Sequence, residues 1–363
     1  MKNLTLAVLL LAAAASQAMA YGPEGHKLVG AIADKCVKQS TTDSIQKMLE
    51  GLSLQQAATI PDQIKEWDQD PPEAGKTFLR HQPKLEKQMI AFHKANPHRK
   101  GSPSDHRSFH FTDVPVVGDE KYADGSVGRS STDIVQMIKF CIKVLQETEP
   151  EDNPKKITKP VAVVLLSHYV GDIHQPLHVG AEYFDAGATP VNPDKTAGAR
   201  PDTGGNAVML VLEHLSTHGH GHGAHNPDLH GYWDDNAVTT AMAVQRKALG
   251  NGAATLDEIA KSFAQNKPDG LDDDAALKPT ELSEAWANEI LPIARDAHAR
   301  LEFTAIVLQQ PSAAAAAMHA ARGPQWMATE KNPGTYADFA GATVGKEIHK
   351  GGWRLANLLD QVL

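Results

Sequence analysis

Residues 159–178, KPVAVVLLSHYVGDIHQPLH, decide the expected fold because their first part, 159–171, predicts a helix that is buried on nearly every face. Pro160 stands near the helix N-terminus, where a proline is tolerated because its missing N–H has no intrahelical partner. The apolar run that follows carries no polar stripe, which is typical of a helix in the centre of a protein. The stretch therefore predicts a central helix with polar chemistry at its carboxyl end.

The polar residues at that end have the spacing of a metal site. His168 and Asp172 are four residues apart, so they lie on one helix face, one turn from each other. Pro176 ends the helix pattern, so the chain can turn His178 back towards them. His230 and Asp234 repeat the same spacing downstream. One such pair alone is typical of a surface ion pair, but two pairs together with His178 favour a hydrolytic zinc site.

Apolar periodicity elsewhere also indicates helices, so the expected fold class is all-α or mainly α, in a single multi-helix domain. The predicted helices cover 26–38, 131–147, 159–171, 281–308 and 336–362. We expect a kink at Leu291-Pro292 and a break at Gly351-Gly352. Residues 206–213 are the one plausible short strand.

Four stretches rich in Gly, Pro, Asp, His or Ala are predicted to be loops or insertions: 69–107, 181–203, 214–228 and 309–334.

Composition and charge exclude several classes of protein. The chain has 363 residues, of which 41% are hydrophobic, and no apolar run reaches the length of about 18 residues that spans a bilayer. The net charge of −9 excludes a general basic surface for nucleic acid, so any phosphate substrate must be captured locally. Cys36 and Cys141 are the two cysteines, too few for a disulfide scaffold or a thiolate zinc site. One disulfide and two free thiols both remain open.

Residues 1–20 predict a cleaved signal peptide. Lys2 precedes an apolar stretch from Leu4 to Ala15, and Ala18-Met19-Ala20 supplies small residues at the cleavage site. We therefore expect a secreted or periplasmic protein without a membrane anchor, whose domain covers 21–363.

Three further residues, His26, Asp62 and His110, are candidate ligands upstream of the central helix. Taken singly, each has an ordinary explanation as a helix cap, a core histidine or a solvent-exposed histidine.

Together these motifs resemble a known family. HYVGDIHQPLH at 168–178, Gly204-Gly205-Asn206 and the His230 to Asp234 segment are similar to the zinc-dependent single-strand-specific nucleases and 3′-nucleotidases typified by mung bean nuclease, in the phospholipase C/nuclease superfamily. Further matches are Tyr21-Gly22 with Gly25-His26, Trp286-Ala287-Asn288-Glu289 and the final Gly-Trp-Arg-Leu-Ala, so the resemblance spans the whole mature chain.

The resemblance implies a cluster of three Zn²⁺ ions per chain. It assigns the first zinc to Asp62, His110, His168 and Asp172. It assigns the second to the free amine and carbonyl oxygen of Tyr21, with His26 and the bridging Asp172. It assigns the third to His178, His230 and Asp234.

Two departures from the family concern these ligands. The family usually has Trp where Tyr21 stands, although ligation through backbone atoms makes this a change of packing. The interval from Asp62 to His110 is longer than in the family, so four histidines are rival ligands: His81, His93, His98 and His106.

The resemblance also implies the substrate and the catalytic residues. Lys65 matches a basic position at the scissile phosphate, and Asp62 would orient or deprotonate the attacking water. Phe111, Asp113 and Asn206 match positions near the nucleotide pocket. The expected substrates are single-stranded DNA and RNA, cleaved to 5′-phosphorylated products, and nucleotides, with 3′-nucleotidase activity left open. A base that stacks on Phe111 must be unpaired, which explains a single-strand preference.

Two alternative functions remain open. A zinc phospholipase C shares the fold and the three-zinc plan, but it has Glu where Asp234 stands. An exported zinc-binding or zinc-buffering protein is suggested by the histidine-rich run from His214 to His225, which could instead be a solvated loop or assist zinc loading. The sequence does not indicate the oligomeric state.

Overall fold

The structure is a computed structural model, which describes residues 21–99, 102, 105–212, 227–306 and 325–363. It is 55% helical and 8% strand, which confirms the mainly α class. The α-helices are α1 Pro23–Cys36, α2 Gln39–Met48, α3 Leu54–Ala57, α4 Ile60–Gln63, α5 Pro83–Ala95, α6 Ile134–Leu145, α7 Lys159–Asp172, α8 Leu229–Gly231, α9 Ala237–Ala248, α10 Leu256–Ala264, α11 Pro279–Ala299 and α12 Tyr336–Val362.

Short helical turns link several of these helices. The 3₁₀ turns are Ile64–Asp68, His106–His110, Tyr122–Asp124, Pro176–His178 and Asp273–Ala276, and a π-helical turn covers Tyr232–Asn236.

In the residues that the structure describes, seven short strands form three small sheets. The strands are β1 Val114–Pro115, β2 Gly180–Ala181, β3 Tyr183–Phe184, β4 Arg200–Pro201, β5 Val208–Val211, β6 Leu301–Ala305 and β7 Trp326–Glu330. β1 pairs with β2 in parallel and β3 with β4 antiparallel. In the third sheet β7 lies in the middle, parallel to β5 with Val208 opposite Trp326, and antiparallel to β6 with Leu301 opposite Glu330.

Helix α7 is the centre of the core, as its apolar pattern predicts. Thr158 caps it by accepting a hydrogen bond from the Val161 N–H, and Pro160 lies in its first turn. Every residue from Val161 to Asp172 is buried. Helices α1, α6 and α12 pack around it, so polar groups at its last turn lie away from bulk water.

The predicted break at Gly351-Gly352 is wrong, because α12 continues through both glycines. A Cβ on Gly352 would lie 2.5 Å from the Ile32 Cβ and 3.1 Å from the Val29 carbonyl oxygen. Glycine here permits close packing of α12 on α1, and the tertiary contact outweighs the low helix propensity of glycine.

The predicted helix over 281–308 is too long. Helix α11 continues through Pro292 but ends at Ala299, and Leu301–Ala305 is instead strand β6. Pairing with β7 overrides the apparent helical period in that segment.

Three predicted loops contain regular structure. Helix α5 lies within 69–107 and buries the face formed by Leu85, Met89 and Phe92. Strands β3 and β4 lie within 181–203, and β7 lies within 309–334. The predicted strand over 206–213 is confirmed as β5. The predicted signal peptide at 1–20 and the histidine-rich run at 214–225 lie outside the described residues.

Cys36 and Cys141 are both free thiols, so the structure favours the second of the two cysteine alternatives. Within the described ranges, helices long and apolar enough to cross a membrane are not found.

Candidate metal centre and active site

The carboxyl end of α7 holds the first group of candidate ligands, which we call the Asp172 cluster: His26, Asp62, His110, His168 and Asp172. As the four-residue spacing predicts, His168 Nε2 lies 3.2 Å from Asp172 Oδ2 on one face of α7. The other Asp172 oxygen, Oδ1, lies 3.2 Å from His26 Nε2 on α1. His110 Nδ1, from the 3₁₀ turn 106–110, lies 2.9 Å from Asp172 Oδ2. Asp172 is therefore placed between imidazoles from three elements, as a bridging carboxylate would be.

Asp62 completes this cluster from the short helix α4. Its Oδ1 lies 3.6 Å from His168 Nε2 and 2.5 Å from the Nζ of Lys65, one turn further along the chain. Both Asp62 and Lys65 are buried. Burial raises the pKa of Asp62, but Lys65 and the neighbouring imidazoles lower it more, so the carboxylate is ionised.

The second group, the His178 cluster, consists of His178, His230 and Asp234. His178 Nε2 lies 3.0 Å from His230 Nε2, and His230 Nε2 lies 3.3 Å from Asp234 Oδ2. Pro176 ends the helical pattern as predicted, because the chain turns through Pro176–His178 and points His178 back at this cluster. Gln175 Nε2 donates a 2.9 Å hydrogen bond to Asp234 Oδ1 and orients that carboxylate.

The glycine pair before Asn206 supports this cluster through its backbone. Gly204 adopts a φ of +60°, and a Cβ there would lie 2.4 Å from the Leu177 carbonyl oxygen. This close approach lets the Gly204 carbonyl accept a 2.6 Å hydrogen bond from His230 Nδ1. The Gly-Gly-Asn motif thus holds the ring of His230.

The ring orientations of the histidines test whether these groups suit a metal ion. His178 Nδ1 lies 2.7 Å from the His110 carbonyl oxygen, and His230 Nδ1 contacts the Gly204 carbonyl. A carbonyl only accepts, so each Nδ1 carries the hydrogen, and the two neutral rings face each other with Nε2 lone pairs at 3.0 Å. That contact is repulsive unless a cation lies between the two nitrogens. His168 is oriented in the same way, with Nδ1 2.7 Å from the Ala58 carbonyl oxygen.

Because the rings of His178 and His230 are buried, they are not readily protonated, so a proton does not easily serve as that cation. Burial lowers the pKa of His178 well below its usual value and lowers that of His230. It also lowers the pKa of His110 to about 3, together with the nearby Lys65 charge. Burial raises the pKa of Asp234. A bound divalent cation would accept the lone pairs of the neutral imidazoles and balance the charge of a carboxylate that burial destabilises. Carboxylate oxygens, together with imidazoles whose other nitrogen is bonded to a backbone carbonyl, are a suitable set of ligands for zinc.

Tyr21 lies beside the Asp172 cluster. Its buried ring makes an edge contact with His26, with 6.4 Å between the ring centroids, and its hydroxyl donates to the His174 carbonyl oxygen at 2.8 Å. The side chain is therefore used for packing, and only backbone atoms of Tyr21 are suited to ligation.

An open cavity of about 620 Å³ gives access to both clusters. Asp62, Lys65, His230 and Asp234 line it, as does Asn206. The cavity is large enough for a nucleotide-sized ligand to reach both groups of ligands.

The three predicted nucleotide contacts differ in position. Asn206 lines the cavity, and its Nδ2 donates to the Thr203 carbonyl oxygen at 2.8 Å. Phe111 is 38% exposed and follows His110 directly. Asp113 accepts a 3.0 Å hydrogen bond at its backbone oxygen from Tyr183, and burial of its carboxyl, then the charge of Asp202, raise its pKa to about 7. Phe111 and Asp113 are not among the cavity-lining residues in the described part of the chain.

The rival histidines from the long 62–110 interval lie elsewhere. His81 is exposed, and His98 Nδ1 pairs with Asp105 Oδ2 at 2.8 Å. His93 and His106 meet Asp68 in a separate group, the Asp68 cluster, with their Nε2 atoms 2.9 Å and 3.1 Å from Asp68 Oδ1. The structure thus brings His110, and none of its four rivals, to the Asp172 cluster.

Some residues that support the site were not expected from the sequence. Gln175 and the backbone carbonyls of Ala58 and Gly204 carry no spacing signal of their own. Gln175 could have been suspected only because it lies inside the HYVGDIHQPLH motif.

These features define a mainly α protein with buried His/Asp clusters that could bind metal ions, at the base of an open cleft, an arrangement suited to a metal-dependent hydrolase. Comparison with known families identifies the class more closely, because the profile of the S1/P1 nuclease family matches residues 21–363. The chain belongs to that family and is a nuclease of the hydrolase class. A search of curated protein sequences finds no match for this chain.

Proposed function

We propose that this protein is a zinc-dependent phosphodiesterase and phosphomonoesterase that cleaves single-stranded DNA and RNA to 5′-phosphorylated products, with 3′-nucleotidase activity. The contact between His178 and His230 carries the proposal, because the repulsion between two facing Nε2 lone pairs 3.0 Å apart is relieved by a cation between them. The family match supports the nuclease reaction.

The residues suit three zinc ions. His110, His168 and Asp172, with Asp62, would hold the first. His26 and Asp172 would hold the second, with the amine and carbonyl oxygen of Tyr21. His178, His230 and Asp234 would hold the third. When bound, zinc stabilises charge on phosphoryl oxygens and makes water acidic enough to act as a nucleophile near neutral pH.

The chain's own residues position the substrate and the attacking water. Asp62 lies in the cleft with an ionised carboxylate, so it can orient a water molecule and accept its proton. Lys65 is kept beside Asp62 by the 2.5 Å contact and places a positive charge near the scissile phosphate. Phe111 offers an exposed ring for an unpaired base. Asn206 lines the cleft, and the family resemblance assigns polar contacts with the base to Asn206 and Asp113.

The phospholipase C alternative is disfavoured by Asp234, because that class has Glu at this position. Zinc buffering is disfavoured because the ligands are held by specific backbone carbonyls at the base of a cleft, as in a reactive centre.

Activity assays separate these possibilities. Zinc-loaded mature protein should release 5′-phosphorylated fragments from single-stranded DNA or RNA, with slower attack on duplex DNA, and should leave phosphatidylcholine intact. Lys65→Met should lose activity by about 10²-fold, whereas Lys47→Met, on the exposed face of α2, should behave as wild type. Hydrolysis of phosphatidylcholine without cleavage of nucleic acid would replace this function with the phospholipase alternative.

We further propose that residues 1–20 are an export signal, that residues 21–363 form one catalytic domain in the periplasm or outside the cell, and that signal removal creates a ligand. An α-amine has a pKa of about 8 and can lose its proton to bind zinc, whereas an amide nitrogen in a longer chain is a poor ligand.

The test compares a protein that starts at Tyr21 with one that carries an uncleavable Gly-Ser before Tyr21. The extended protein should fold, contain less zinc and lose most of its nuclease activity. Tyr21→Trp should be a mild change, since backbone atoms ligate. Full activity of the extended protein would remove Tyr21 from the ligand set.

A further inference from the structure

A second groove adjoins the catalytic cleft. It has a volume of about 260 Å³ and shares Lys27, Thr59 and Gln63 with the cleft. Phe78 forms part of its wall and is 37% exposed. Among the described residues, Phe78 and Phe111 are the two large aromatic side chains with this degree of exposure. One therefore lies next to a metal ligand, and the other lies in the neighbouring groove.

The loop that carries Phe78 is held firmly. Glu86 on α5 accepts hydrogen bonds from the Gly75 N–H at 2.9 Å, the Thr77 N–H at 3.3 Å and the Thr77 hydroxyl at 2.6 Å. The next residue, Leu79, is buried and donates its N–H to the Thr77 hydroxyl at 3.0 Å. Phe78 is thus exposed between two anchored neighbours, so its exposure is a property of the fold.

A buried aromatic ring supports Phe78 from behind. Trp67 stacks on Phe78 with 5.5 Å between ring centroids and an angle of 28°. His93 makes an edge contact with Trp67 at 5.6 Å and is itself bonded to Asp68. The ring of Phe78 is therefore a preorganised stacking platform.

The groove wall suits a nucleobase and its phosphate. Its polar lining consists of amide side chains, with Gln55 and Gln82 among them, together with Lys27 and Thr59. Within the described part of the chain, Asp and Glu side chains do not line it, although the protein as a whole is acidic. Amides donate and accept hydrogen bonds and can pair with the edge of any base. Lys27 lies where the groove meets the cleft, and its Nζ is paired with the exposed Glu24 Oε1 at 2.8 Å, a surface ion pair that a phosphate can replace.

We propose that this groove is a second base-binding subsite for single-stranded nucleic acid. A base of the bound strand stacks on Phe78, and Lys27 contacts the phosphate that connects this base to the dinucleotide unit cleaved at the metal centre. The subsite rests on the proposed nuclease function and specifies how the enzyme selects longer, unpaired strands. A paired base cannot stack on Phe78, so the groove adds to single-strand preference.

The test compares a dinucleotide, which occupies the metal centre alone, with a pentanucleotide of the same base. Wild type should have a higher kcat/KM on the pentanucleotide. Phe78→Ala should reduce the pentanucleotide-to-dinucleotide ratio of kcat/KM by about 10- to 100-fold, mainly through KM. Phe78→Trp should restore the ratio because it retains a stacking surface.

Two controls separate lost stacking from a collapsed loop. Phe78→Leu keeps an apolar contact with Trp67 but has no aromatic face. It should therefore lower the pentanucleotide-to-dinucleotide ratio of kcat/KM as much as Phe78→Ala does, while its thermal unfolding midpoint stays near that of wild type. Leu249→Ala removes another exposed apolar side chain, next to the end of α9, and should leave the ratio unchanged.

The role of Lys27 is measured by salt dependence. Lys27→Gln should reduce the slope of log(1/KM) for the pentanucleotide against log salt by about 0.7, the contribution of one phosphate contact on a single strand. Lys47→Gln, an exposed lysine on α2, should leave the slope at its wild-type value. If the slope of log(1/KM) against log salt is the same in Lys27→Gln as in wild type, Lys27 does not contact a phosphate of the bound strand.

The subsite is overturned if wild type cleaves both oligonucleotides with equal kcat/KM, or if Phe78→Leu retains the wild-type ratio. Failure of the nuclease function looks different, because wild type would then cleave neither oligonucleotide.

Discussion

The His178 cluster and the Asp68 cluster each combine two histidines with one aspartate, but their rings are oriented differently. In the His178 cluster both Nδ1 atoms donate to backbone carbonyls, so both Nε2 lone pairs point at the centre. In the Asp68 cluster the Nδ1 of His106 is buried without a hydrogen-bond partner. Its Nε2 is therefore free to carry the hydrogen and donate to Asp68.

The carboxylates of the two clusters also differ. Asp68 Oδ2 accepts a hydrogen bond from Arg107 Nε at 2.7 Å. Although the spacing of the residues in the Asp68 cluster would also allow a metal ion, the Arg107 guanidinium already balances the charge of this carboxylate. Asp234 has Gln175 as its neutral donor, and burial raises its pKa. The comparison teaches that ring orientation and carboxylate neighbours, more than the residue types, distinguish a metal centre from a hydrogen-bonded hub.

The largest effect should come from the carboxylate that contacts three imidazoles. Asp172→Asn should reduce zinc content by more than one ion per chain and nuclease activity by about 10³-fold, because one substitution disturbs two metal positions. Asp68→Asn is the matched control and should retain full zinc content. Elemental analysis measures the zinc content of the two variants, and activity assays measure their nuclease activity. Equal zinc loss in the two variants would contradict the proposal that the Asp172 cluster binds metal and the Asp68 cluster does not.

A smaller loss of activity is expected from the His178 cluster. His178→Gln removes a ligand from one metal position, so it should cost about one zinc per chain and about 10- to 100-fold in kcat. The same measurements apply, with His93→Gln as the histidine control in the Asp68 cluster. A loss as severe as that of Asp172→Asn would mean that the two clusters bind metal as one unit.

Asp68→Asn should instead reduce stability, by about 2 kcal/mol at pH 7, because it removes charge-assisted hydrogen bonds. Burial raises the pKa of Asp68, but bonds from His106, His93 and Arg107 lower it to about 2. A depressed folded-state pKa gives stability that is complete above the unfolded value near 4 and is lost as the pH falls towards 2. Urea unfolding of apoprotein should show a gap between variant and wild type that is smaller at pH 3 than at pH 7.

The smallest effect is expected from His106→Gln. The amide can still donate to Asp68, so unfolding stability should fall by about 1 kcal/mol and zinc content should not change. Loss of a zinc ion in this variant would show that the Asp68 cluster binds metal.

The sequence predicts which residues of the candidate site lie close together wherever the proposed ligands follow local rules. The spacing of His168 and Asp172 on a helix, and the turn after Pro176, depend on backbone geometry within one segment. The mainly α class follows in the same way from apolar periodicity. His26, Asp62 and His110 come from distant segments, and only the family resemblance placed them with Asp172.

The features that the sequence did not predict depend on tertiary contacts. The continuity of α12 through Gly352 is explained by its contact with Ile32 on α1, and β6 is a strand because β7 pairs with it. The difference between His106 and His110 is equally nonlocal, since neighbouring sequence does not reveal which carbonyl or carboxylate each ring will contact.

Anomalous diffraction at the zinc edge, from crystals of protein that begins at Tyr21, tests the assignment of the metal centre most directly. We expect one peak among His178, His230 and Asp234, two peaks on either side of Asp172, and no peak at Asp68. A peak between His93 and His106, or the absence of peaks beside Asp172 and His178, would contradict it.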